Sequence, residues 1–158
     1  MTDPTLSLPS APLPRRFAAM VYDSLLLMAV GLGYGAIVTL LNVLIQGSPP
    51  AGEAIQWGQW RLPVFIGLLA VWVGFFYYFW GHQGQTLGMR AWRLKLVDRD
   101  SGGFASPKQR LARALLAPLS LGFVGLGYFW LWLDPTDETL HGRLTRTQVL
   151  LLPKASGK

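Results

Sequence analysis

The sequence predicts an all-α membrane protein with two clear transmembrane helices, a third apolar segment, and a small cytoplasmic β-hairpin or sheet. Three observations predict it. Only 14% of the residues are charged, against 51% hydrophobic, whereas soluble domains carry roughly 25% charged residues. The charge is absent from three long stretches and gathered between them. The basic residues also fall where the cytoplasmic side of a bilayer collects them.

The chain opens with a leader, residues 1–14, that holds Pro4, Pro9, Pro12 and Pro14 and shows no periodicity. It reads as a disordered tail. A single membrane domain over 15–152 follows, then a short tail over 153–158. The first apolar stretch runs from Phe17 to Ile45 with one charge, Asp23, and exceeds the roughly 20 residues needed to cross about 30 Å of hydrocarbon. The second, Leu62 to Trp80, carries no charge and has no polar face at a helical period. A fully buried helix of a soluble protein is the alternative reading, but a chain of 158 residues cannot wrap three such helices in a polar shell. A cleaved signal peptide needs a shorter apolar core nearer the start.

The third stretch, Leu111 to Leu133, contains one charge, Arg113, and is interrupted by Pro118 and a Gly-rich run. Two readings stay open for it. It crosses once as a single span, or it returns as a re-entrant pair of short helices. Such a pair is tolerated at membrane depth only where protein or water covers its free backbone groups.

Orientation follows from Lys and Arg. Arg15 and Arg16 precede the first span, the loop to Arg61 is nearly free of basic residues, and Arg90, Arg93, Lys95, Arg99, Lys108 and Arg110 follow the second span. The N-terminus is therefore expected in the cytoplasm, as is the segment from Gly81 to Arg110. Within that segment Arg93 to Asp98 alternates polar and apolar residues, as a short strand does. Thr147 to Leu152 is a second β-rich run. The two can pair only if the C-terminus returns to the same side. Aromatic residues at the ends of the apolar stretches, such as Trp57, Trp60, Tyr78 and Trp80, suit the headgroup level.

Net charge is +6, but the basic residues flank apolar spans instead of forming one dense run. Anionic lipid headgroups, not nucleic acid, are the expected partner. There is no cysteine, which excludes thiolate chemistry and Cys-based metal sites. His82 and His141 lie outside the spans in no metal-binding arrangement, so neither a metal nor another cofactor is expected. No nucleophile–base set stands out, so no enzyme activity is expected.

Asp23 is the most informative residue. A carboxylate at the centre of a membrane helix costs about 2.5–3.5 kcal/mol on insertion scales, so it must be protonated, hydrated or paired. Arg16, two helical turns earlier, and Arg113, on the third stretch, are the candidate partners. Asp23 reads either as a device that fixes helix register or as a cation or proton site. Gly31 and Gly35 allow close helix approach, most simply within one chain. The run Gly84-Gln85-Thr86-Leu87-Gly88 lacks the ending and preceding strand of a phosphate loop and reads as a turn into a basic interfacial segment.

Together these residues resemble the RDD family of small bacterial membrane proteins. The pattern Arg16-x-x-Ala19-x-x-x-Asp23 is similar to the family's opening, and Gly84-Gln85-Thr86-Leu87-Gly88-Met89-Arg90 to its segment after the second span. Thr147 lies at the family's closing Gly-Thr step. Gly142 stands where the family has its second Asp. The resemblance implies a multi-pass protein of the bacterial inner membrane and transport of an ion or small solute. A pathway would then require a homo-oligomer or a membrane partner, with Asp23 as its site and Arg16 as modulator. The alternative expectation is a non-transporting accessory or scaffold protein that docks a partner through its basic cytoplasmic segment.

Overall fold

The computed structural model describes residues 8–122 and 139–154. Two long helices form a hairpin. Helix α1, Leu13–Gln46, starts with Pro14 in its first turn, where a fixed φ suits a helix and the missing N–H goes unneeded. It stops at Gly47, whose N–H caps Val43 O. A 3₁₀ turn, Gly58–Trp60, leads into helix α2, Arg61–His82. Three short helices and two strands complete the described chain: α3, Leu87–Ala91; β1, Leu94–Asp98; α4, Pro107–Gly122; α5, Leu140–Thr145; β2, Thr147–Leu151.

Both α1 and α2 are long and apolar enough to cross a membrane. Their large apolar side chains point outward: Leu32 is 71% exposed and Ile45 81%. Such a surface is stable in lipid and not in water. The hairpin is tied by side chains that reach backbone carbonyls on the neighbouring helix. Trp72 Nε1 donates to Leu27 O at 3.2 Å and Tyr34 Oη donates to Val64 O at 2.9 Å. Gly31 lets Trp72 and Leu68 approach, while nothing lies within 4 Å of a Cβ built on Gly35.

At 34 residues, α1 is about 50 Å long, well beyond one hydrocarbon thickness. Its first turns do other work. Leu13, Arg16, Ala19 and Asp23 are its buried residues there, one face at helical spacing. They pack against a compact platform made of α3, α4, α5 and the sheet. Asp23 therefore sits where platform gives way to span, not deep within a lipid-facing helix.

The platform holds the core. Strands β1 and β2 pair antiparallel, Leu94 opposite Leu151, Leu96 opposite Val149 and Asp98 opposite Thr147. Leu94, Leu96, Val97 and Leu150 are almost fully buried. The two β-rich runs expected from the sequence thus meet. The leader, expected to be disordered through residue 14, is tied down from Pro9: Ser10 bridges Leu150, Ala11 N–H donates to Val149 O and Leu151 N–H donates to Pro9 O, both at 2.9 Å. The free edge of β2 supplied the donors and acceptors that order it. Within the third apolar stretch, α4 runs past Pro118 to Gly122. The choice between one span and a re-entrant pair falls on residues 123–138, outside the described residues.

The platform also contains an internal repeat. Thr86 caps α3 by accepting from Met89 N, and Thr139 caps α5 by accepting from Gly142 N. Each helix is followed by an arginine with positive φ, Arg93 at 59° and Arg146 at 51°, and then by a strand. The pattern Thr-Leu-x-x-Arg-x-x-Arg occurs in both units. Their strands pair symmetrically about Leu96 and Val149, which relates the two units by a local two-fold axis.

Candidate functional site: a clasp on the first helix

The loop between α2 and β1 is folded by its own sequence. Gly84 has φ +66° and a Cβ on it would lie 2.9 Å from Leu96 O, so only glycine fits. Its carbonyl accepts from Leu96 N at 2.7 Å, and Gln85 Nε2 donates to Leu94 O at 2.6 Å. These bonds lay the loop along β1. Thr86 then starts α3.

The fully buried Thr86 hydroxyl donates to Asp23 Oδ2 at 2.5 Å, while its oxygen accepts from Met89 N at 3.1 Å. Gly88 N–H donates to Asp23 Oδ1 at 2.9 Å. A carboxylate can only accept, and here each of its oxygens meets a donor. Gly88 permits this approach. A Cβ on it would strike Ala19 O and lie 2.8 Å from the Asp23 carboxyl. The clasp is closed from the α2 side by Trp80, whose Nε1 donates to Met89 Sδ at 3.4 Å.

The two arginines proposed from sequence as partners of Asp23 are placed elsewhere. Buried Arg16 donates from Nε to Ala11 O at 2.7 Å and from Nη2 to Ser10 Oγ at 3.0 Å. It fastens α1 to the N-terminal edge of the sheet. Buried Arg113 donates from Nη1 to Thr147 Oγ1 at 2.8 Å and lies over the Trp80 ring, 5.8 Å from its centroid. Thr147 Oγ1 also shares a hydrogen bond of 2.7 Å with Thr145. The reason for the difference is local. The platform offers Asp23 two short-range donors on the helix face it already presents, so no long cation has to reach it.

The remaining motif residues have distinct places. Gly84, Gln85, Thr86 and Gly88 all build the clasp, whereas Arg90 is exposed beyond it. At Gly142, a Cβ would lie 3.0 Å from both Thr139 Oγ1 and Thr147 O, and 3.5 Å from Arg113 Nη1. The position of the family's second acid thus faces Arg113. His82 Nδ1 lies 3.3 Å from Tyr78 O, and no cluster of His, Cys, Asp or Glu that could hold a metal ion occurs among the described residues.

A second carboxylate organises the far end of β1. Asp98 Oδ1 accepts from Ser101 N and Ser101 Oγ, each at 2.8 Å, and from Asp100 N at 3.1 Å; Oδ2 accepts from Gln109 Nε2 at 2.5 Å. Burial alone would raise its pKa, but the hydrogen bonds from Gln109, Ser101 and Asp100 outweigh it and hold the carboxyl below its ordinary value. Gln109 in turn forms a capping box with Ser106 at the start of α4: Ser106 N–H donates to Gln109 Oε1 at 2.7 Å.

Sequence reasoning singled out Asp23 and the glycine-rich loop but did not join them. The usable signal was Thr86, an N-cap residue type before a short helix, together with its repeat at Thr139. Against known sequences, the model of the RDD family matches residues 10–146. No curated protein and no solved structure matches the chain.

Proposed function

The chain belongs to the RDD family, and from that membership and the geometry of the clasp we propose that it is a multi-pass inner-membrane accessory or scaffold protein. In this reading α1 and α2 are the two spans. The platform is cytoplasmic, at the surface where Arg90, Arg93, Lys95 and Lys108 meet anionic headgroups, and it docks a membrane partner there. One observation carries the reading: both oxygens of Asp23 are engaged by donors from the platform. The acid acts as a fastener between span and platform, not as an open cation site.

Trp92 and Phe104, 42% and 56% exposed, sit among these basic residues and offer the partner an apolar contact. Transport of an ion or small solute is the second reading. It draws on the position of an acid at the start of a span, and it requires a homo-oligomer.

The test combines two measurements on the same preparation. A photo-cross-linker at Trp92 should capture a hetero-partner in intact membranes, whereas one at Leu40 should not. Proteoliposomes should show no cation flux above the lipid background. Self-cross-links alone, together with a flux abolished by Asp23→Asn, would sink the scaffold reading in favour of transport.

A further inference from the structure

Away from the platform, α1, α2 and the 3₁₀ turn before α2 line a cleft of about 810 Å³, within the roughly 300–1,000 Å³ typical of small-molecule sites. Gly31, packed on Leu68 and Trp72, closes its lower end. Gly35 lines it as open space, since nothing lies within 4 Å of a Cβ there. Val38, Phe65 and Leu68 form apolar walls. Arg61 and Gln59 stand at the mouth, both exposed.

The shape and chemistry are those of an amphiphile site. A groove along the helices is continuous with the lipid-facing surface, so whatever fills it enters from the bilayer. Its walls suit a hydrocarbon chain. Arg61 makes no hydrogen bond or ion pair through its side chain among the described residues, and it stands at the outer end of α2. A guanidinium at that level binds a phosphate bidentately, and a neighbouring amide adds a further donor. We infer that the cleft holds one anionic phospholipid, with an acyl chain between α1 and α2 over Gly35 and its phosphate on Arg61 and Gln59. This lies outside the clasp and does not depend on the scaffold reading.

The experiment is native mass spectrometry of the full chain released from nanodiscs that contain equal phosphatidylglycerol and phosphatidylcholine. Wild type should retain one phosphatidylglycerol in preference to phosphatidylcholine. Arg61→Gln removes the phosphate contact, and Gly35→Leu fills the groove at a helical position with free space. Each should lower the retained phosphatidylglycerol at least several-fold, while Lys108→Gln, on the platform, leaves it unchanged. Circular dichroism of each variant must match wild type. If Gly35→Leu binds normally, the lipid is held only at the surface and the groove assignment is wrong. If Arg61→Gln binds normally, or phosphatidylcholine is retained equally, the anionic class is wrong. A lipid-free dimer disrupted by Gly35→Leu would show instead that a second copy fills the cleft.

Discussion

Thr86 gives its single hydroxyl proton to Asp23 and takes the Met89 N–H on the same oxygen. Replacing it with Val keeps the shape and removes both bonds, which leaves a buried carboxylate oxygen without its donor. Such a loss costs about 1–3 kcal/mol. Thr86→Val should therefore lower unfolding free energy in detergent by about that amount, and Thr86→Ser, which keeps the hydroxyl, should stay near wild type. Equal stability of both variants would argue that the clasp contributes nothing. Gly88→Ala tests the same contact from the other side. Its methyl would meet Ala19 O and the Asp23 carboxyl, and overpacking of this kind costs about 1–3 kcal/mol. Hydrogen exchange at Met89 and Arg90 N–H should accelerate in that variant.

The sequence made Asp23 conspicuous because an acid in an apolar run is expensive. It did not reveal the partner, because a long Arg is the obvious counter-charge and a Thr hydroxyl plus a backbone N–H is not. The backbone donor Gly88 N has no sequence signature of its own. Only the absence of a side chain at Gly88 hints that something must come close.

At the level of elements, Asp98 links the end of β1 to the start of α4 through Gln109. Its carboxyl is held below the ordinary value of 3.8. The sign follows from that direction. The ionised form is favoured by folding, so its stabilising contribution is complete above 3.8 and disappears as pH falls through the lower folded value. Thermal unfolding followed across the acid range should show a steeper loss of stability in wild type than in Asp98→Asn, with the curves converging at the lowest pH. Parallel curves would mean that the Asp98 bonds do not matter to folding.

The elements themselves were largely legible. Length and apolarity announced α1 and α2, alternation announced β1, and a run of β-forming residues announced β2. Less visible was the N-terminal edge at Pro9 to Ala11, because a proline-rich run reads as disorder until a free strand edge is present to pair with it. The repeat of Thr-Leu-x-x-Arg-x-x-Arg was also open to inspection. It is easily missed because the two copies share caps and hinges, whereas their core residues differ.

Across the whole molecule, the sheet constrains topology. The segment before α1, the strand after α2 and the strand near the C-terminus all pair in one sheet, so they must share one side of any membrane. Since the chain lacks cysteine, single-cysteine labelling is clean. In sealed vesicles Ser101→Cys and Lys154→Cys should react from the same side, and Ala51→Cys from the opposite side. Labelling of Ser101→Cys and Lys154→Cys from different sides would contradict the sheet.

The bridge from Ser10 to Leu150 has a consequence for how the protein is made. During synthesis Ser10 finds its strand partner only once the chain has been made as far as Leu150. The hairpin of α1 and α2, and the Asp23 clasp, need far less of the chain and can form while translation continues. Closure of the sheet comes after these, and loop-closing contacts of such separation are the slow ones. A chain cut short before Thr147 would leave the apolar edge of β1 and the Pro9–Ala11 segment unpaired on the surface. Pairing of β2 thus decides whether that apolar edge is covered, and quality-control proteases that recognise exposed apolar segments would have the difference to read.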